Sequence, residues 1–167
     1  DLVRSRGLGD VYKRQVLWSG APYVDYYLRL ANIETNVKKR RNLLEKATID
    51  GAHAVKQAEN TSYHSVTVGM HHSQSKALGF LAQIETNVEE KKKLLEKALE
   101  HRNESIRIIE QLTPFGYWNR GVMWNYLADL KAELSDFEKD SSNRKNILEE
   151  AVSDKERCLQ LCIKEVL

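Results

Sequence analysis

Cysteine and proline each occur only twice in this chain of 167 residues. No run is apolar for the roughly 20 residues that a membrane helix needs, so no membrane span is expected. Cys158 and Cys162 are too few to make the disulfide framework of a small secreted domain. With no such framework the expected home is the cytoplasm. Catalytic signatures are also missing. There is no Glu-x-x-His pair of a di-iron bundle, no His-Glu-x-x-His, no phosphate loop and no dinucleotide glycine pattern. Alternation of the strand type is confined to a weak instance at Tyr63–Gly69. What remains is 41% apolar and 30% charged, ordinary for a helical protein.

A basic excess is present but belongs to one end. Ser5–Gln15 reads SRGLGDVYKRQ, which resembles the in-frame translation of a transposon adapter used in short-read sequencing libraries. Residues 1–15 are therefore expected to be adapter-derived and outside the fold, with the native start missing. They carry Arg4, Arg6, Lys13 and Arg14 against Asp1 and Asp10. Setting these aside leaves 22 basic and 22 acidic residues. A neutral remainder gives no electrostatic ground for nucleic-acid binding.

The strongest positive feature is an internal echo. Residues 30–47, LANIETNVKKRRNLLEKA, and 81–98, LAQIETNVEEKKKLLEKA, agree at 12 of 18 positions with an offset of 51. Helix punctuation surrounds it. Thr86 with Glu89, or Asn87 with Glu90, makes a capping box. Thr35 and Asn36 keep the cap in the first copy. Thr113-Pro114 reads as a cap followed by proline, and Asp140, Ser141 and Ser142 are further caps. The apolar spacing between these signals is helical, as in Leu95, Leu99, Ile106, Ile109 and Leu112. Six helices are expected, at about 22–34, 37–58, 64–85, 88–112, 114–136 and 142–165. Short connections pair them as antiparallel hairpins. A third copy is weaker. Tyr126–Leu130 matches Phe80–Ile84 at an offset of 46, while Ile147–Ala151 matches Leu94–Ala98 at 53. Seven extra residues, two helical turns, are expected near Ser135–Asn143.

Matched columns sharpen the reading. Tyr27, Leu78 and Trp124 share one, followed by Leu30, Leu81 and Leu127, then Ala31, Ala82 and Ala128. On the second helix Leu44-x-x-Ala47, Leu95-x-x-Ala98 and Leu148-x-x-Ala151 recur. This arrangement resembles the tetratricopeptide pattern W-x2-L-G-x2-Y…A. It departs from that family in its longer unit, and in Glu34, Glu85 and Lys131 where an aromatic is usual. The resemblance implies an all-α fold of three long antiparallel hairpins stacked as a tetratricopeptide-like solenoid. Its units are about 16–61, 62–112 and 113–167. It also implies that the first helix of each pair lines an inner groove.

Candidate residues follow. The polar column Asn32, Gln83 and Asp129, extended back by whole turns, adds Asp25, His72, Lys76, Trp118 and Asn125. This mixed polar and aromatic stripe is the candidate ligand groove. Cys158 and Cys162 could offer two soft metal ligands, but no histidine lies nearby in sequence, and they are read as buried structural thiols. Adjacent His71 and His72 point in different directions on a helix. They are read as solvent or groove positions without chemistry, and His53, His64 and His101 as isolated. Lys38-Lys39-Arg40-Arg41 faces a mixed counterpart, Glu89-Glu90-Lys91-Lys92-Lys93, and is read as a solvated face. No cofactor, metal or catalytic residue is expected. The expected function is a protein- or peptide-binding scaffold segment of a larger regulatory protein. The alternatives are a sensory arm for an attached ATPase or cyclase, and a compact bundle with a small-molecule pocket. Self-association through exposed terminal repeats is a further expectation.

Overall fold

The computed structural model describes residues 23–61, 63–112 and 117–166, with only the backbone of 117–119 and 164–166. The adapter-like stretch and the Thr113-Pro114 cap lie outside the described residues, as does the side chain of Trp118. Among the described residues are six helices and no strand. They are α1 over 23–33, α2 Val37–Glu59, α3 His64–Ile84, α4 Val88–Gln111, α5 Tyr117–Ser135 and α6 Ser141–Val166. The weak alternation at Tyr63–Gly69 gives no strand. Val66, Thr67, Met70 and His71 bury at helical spacing instead, and the segment opens α3.

Each hairpin turn is built the same way. Asn36 Oδ1 accepts from Lys39 N at 3.1 Å, Asn87 Oδ1 from Glu90 N at 3.0 Å, and Asp140 Oδ1 from Asn143 N at 2.8 Å. The asparagine rather than the threonine is therefore the cap of α4. A glutamate two residues before each cap closes the turn from the other side. Glu34 accepts from Asn36 N, Glu85 from Thr86 N and Asn87 N, and Glu138 from Asp140 N. Arg41 also donates to Glu85 through both terminal nitrogens at 3.0 Å, tying α2 to the second turn.

Packing runs in chain order. Substantial contacts join α2 to α3, α3 to α4, α4 to α5 and α5 to α6. On α2 the buried positions Leu44, Ala47, Gly51, Ala54, Val55 and Ala58 form one stripe. Helix α3 is enclosed on several sides, so its buried set includes polar side chains as well. Leu44, Ala47, Leu95 and Ala98 share one core with Val24, Leu28 and Leu130. Complete burial of each leucine contributes roughly 2 kcal/mol. The alanines let neighbouring helices approach.

Helices α2 and α4 begin 51 residues apart, and α4 and α6 begin 53 apart. The third turn, 136–140, is two residues longer than 34–36 and 85–87. Its cap pair Glu138 and Asp140 lies 53 residues after Glu85 and Asn87. The structure thus relates both helices of the last two hairpins by 53. No seven-residue insertion is needed near Ser135–Asn143. A slip of seven residues preserves the phase of an apolar stripe, so Tyr126–Leu130 can mimic Phe80–Ile84 in sequence without being its counterpart.

Candidate functional site

Antiparallel hairpins bring together residues equidistant from a turn. His71 and His101 each lie 15 residues from Thr86, and Asn125 and Lys155 each lie 15 from Asp140. In the structure both pairs touch. The two Nδ1 atoms of His71 and His101 are 2.9 Å apart, with the rings tilted at 44°. One ring must donate its N–H and the other accept, so at least one of them is neutral. His71 also lies 3.5 Å from Glu59 through Nε2. Burial lowers the pKa of both histidines, and Glu59 opposes that for each.

One turn further in, Arg102 is wholly buried on α4. Its guanidinium donates to His72 Nδ1 and lies over the ring of Tyr126, 4.6 Å from the centroid. No ion pair to a carboxylate forms there, and Arg102 Nε has no hydrogen-bond partner. Burial pushes the Arg102 pKa down to about 10 and the Tyr126 pKa up to about 12. His72 is pushed down to about 3, first by burial and then by Arg102 and Lys76. Its Nδ1 therefore stays free to accept from the guanidinium. Gly79 of α3 leaves the room that Tyr126 occupies, since a Cβ there would collide with the phenol oxygen.

The neighbouring hydroxyls are already committed. Ser75 Oγ donates to the Ala98 carbonyl at 2.7 Å and Ser105 Oγ to the Arg102 carbonyl at 2.8 Å. No described histidine is paired with a serine to activate it. In the third hairpin Lys155 Nζ donates to Asn125 Oδ1 at 2.7 Å and to Asp129 Oδ1 at 2.6 Å. Arg102 and Lys155 are 53 residues apart, as are His72 and Asn125, and Lys76 and Asp129. The same place in two hairpins thus holds a cation from the second helix against polar groups of the first. At the corresponding place in the first hairpin stands Gly51, packed against Gln74 and Val24.

The expected groove column divides accordingly. His72 turns toward Arg102, and Asn125 and Asp129 meet on Lys155. Asp25 and Lys76 are half-buried, while Asn32 and Gln83 are exposed. Two expectations change. His71 is buried against His101, not solvent-facing, because α3 is covered by α4 there. Cys158 is half-buried and Cys162 exposed, because the outer side of α6 has no neighbour among the described residues. The two thiols share a hydrogen bond across Gly121, and burial raises the Cys158 pKa. Of the basic run, Arg41 is engaged by Glu85 and Glu45, and Lys38 and Lys39 are exposed. Among the described residues no three His, Cys, Asp or Glu side chains are placed to hold a metal, and no helix is long and apolar enough to cross a membrane. Buried Arg102 is the residue that sequence reading misses, since an arginine near the middle of an amphipathic helix reads as surface. No family model, curated protein or solved structure matches the chain.

Proposed function

We propose that the chain is a tetratricopeptide-like scaffold: three stacked helical hairpins that bind a protein or peptide and carry out no reaction of their own. The observation that supports this most is the repetition of one contact pattern. The turn capped by Asn36, Asn87 and Asp140 recurs, and each helix packs chiefly on its neighbours in chain order. Such quasi-one-dimensional packing leaves long surfaces free for partners. The polar groups between α3 and α4 act in fixing register, as the closed set of contacts around Arg102 suggests. The ligand row is the exposed part of the first-helix column, from Asp25 and Asn32 through Lys76 and Gln83 to Trp118, Asn125 and Asp129.

Peptide display against the purified chain tests this reading. Wild type is expected to enrich a defined peptide class. Trp118→Ala and Asp129→Lys should each weaken that binding about tenfold or more, with the helical circular-dichroism signal retained. Enrichment of no peptide, or equal binding by both variants, rejects the groove.

A further inference from the structure

The two ends of the array carry faces whose counterparts inside the chain are covered. Leu44 on α2 and Leu95 on α4 are 0% exposed, whereas Leu148 on α6, 53 residues after Leu95, is 40% exposed. Val55 and Ile106 are each 5% exposed, whereas Leu159 in the same register is 61% exposed. In the interior, the next first helix does the covering. Met70 of α3 packs with Val55, and Met123 of α5 packs with Ile106. Nothing among the described residues covers α6 in that way. Its outer side holds a cleft of about 420 Å³ along Arg144, Lys145, Leu148 and Val152.

Helix α1 shows the complementary deficit. Its Tyr23, Tyr26 and Leu30 are exposed. In α3, 51 residues on, Gln74, Ala77 and Leu81 are buried. Gln74 donates to the Thr48 carbonyl of α2, so this is the face that α3 turns to the preceding hairpin. In α5, another 53 on, Leu127 and Leu130 are buried as well. The charges agree with the shapes. Arg41 and Glu85 join the first hairpin to the second at 3.0 Å. The same positions at the free ends are Lys145 on α6 and Glu34 after α1, again a cation and a carboxylate. At the inner junction the pair is Lys92 and Glu138, also opposite in sign, although Lys92 lies 3.8 Å from Glu96 of its own helix.

We infer that α6 of one chain receives α1 of a second copy, in the register by which α2 receives α3 and α4 receives α5. Leu148, Val152 and Leu159 would be covered by Tyr23, Tyr26 and Leu30, with Lys145 reaching Glu34 at the edge. This contact joins two different faces, so it is head-to-tail and adds copies without closing. It rests on the hairpin-repeat reading but not on the ligand groove. Loss of peptide binding would therefore leave it standing.

Sedimentation velocity on the full chain, over a wide concentration range, tests it. The mass of wild type should grow with concentration into open-ended oligomers. Leu30→Glu and Leu159→Glu should each sediment as helical monomers. An equimolar mixture of the two should give a dimer and nothing larger, because one intact head and one intact tail remain. Lys145→Glu should weaken association about tenfold, and adding Glu34→Lys to the same chain should restore it. Three outcomes overturn the proposal: a wild type that stays monomeric, a Leu30→Glu chain that associates like wild type, or a mixture that does not pair. A monomeric wild type assigns the end faces to further hairpins or to an unrelated protein.

Discussion

A buried arginine without a carboxylate is costly unless its donors are met, and Arg102 meets them with a neutral imidazole and an aromatic face. That solution depends on His72 staying unprotonated. Its pKa is about 3 in the fold, against 6.5 for an unperturbed histidine. Between these values the unfolded chain binds a proton that the folded chain refuses. Unfolding therefore becomes easier as pH falls from about 6.5 toward 3, by at most about 1.4 kcal/mol per pH unit for this group. His71 and His101 shift in the same direction and add to the slope. Glu59, Glu104 and Arg107 face His71, and Lys76 and Arg102 face His72. Glu85 and Glu104 are held below the usual carboxylate range, so their loss comes at lower pH and does not confuse the upper window. Urea midpoints should drop between pH 7 and pH 5.5 in wild type and drop less in His72→Asn, which places at 72 the residue found at 125. An unchanged slope in that variant would show that the histidine is not the sensor.

At the scale of helices and turns, local chemistry repeats more faithfully than composition does. Three turns share a cap and a glutamate, but only Glu85 also receives Arg41 from another helix. Glu85→Ala should therefore lower the melting temperature more than Glu34→Ala. Arg41→Ala should remove most of the difference, because the turn bonds alone then remain. Asn87→Ala, which deletes the cap itself, should cost about 1 kcal/mol. Equal melting shifts for Glu34→Ala and Glu85→Ala would refute the role assigned to Arg41. These turns are the part of the fold most legible in the sequence. Capping depends on residues three apart, and Asn36, Asn87 and Asp140 sit where the pattern puts them. Helix bounds are legible within a few residues for the same reason. The registration of the third hairpin is not, because Leu-Ala patterns repeat at two-turn intervals and cannot distinguish 46 from 53. Nor is the polar cluster. His71 and His101 become neighbours only when the chain is folded about Thr86, and nothing local marks Arg102 as buried. Of the candidate row, the sequence finds a common column at His72 and Asn125. It does not reveal that both turn toward a cation on the second helix.

For the molecule as a whole, packing in chain order makes stability a matter of neighbours. Helix α3 touches α2 and α4, and α4 touches α3 and α5, while α6 packs chiefly on α5. Leu95 and Leu148 occupy the same register 53 residues apart, one fully buried and one 40% exposed. In dilute solution, where copies do not meet, Leu95→Ala should cost about 3 kcal/mol through the cavity it leaves. Leu148→Ala should cost less than about 1 kcal/mol, because its side chain has less to lose. The spatial reach should differ too. Hydrogen exchange should be slowest in α3 and α4 and faster toward α1 and the end of α6. Leu95→Ala should accelerate exchange across α2 to α5, whereas Leu148→Ala should affect α6 and its neighbour α5. At concentrations where α1 of a second copy covers α6, exchange of α6 should slow, and the cost of Leu148→Ala should rise toward that of Leu95→Ala. Exchange that is uniform along all six helices, or equal costs for the two leucines in dilute solution, would mean one cooperative bundle, and the description by neighbours would fail.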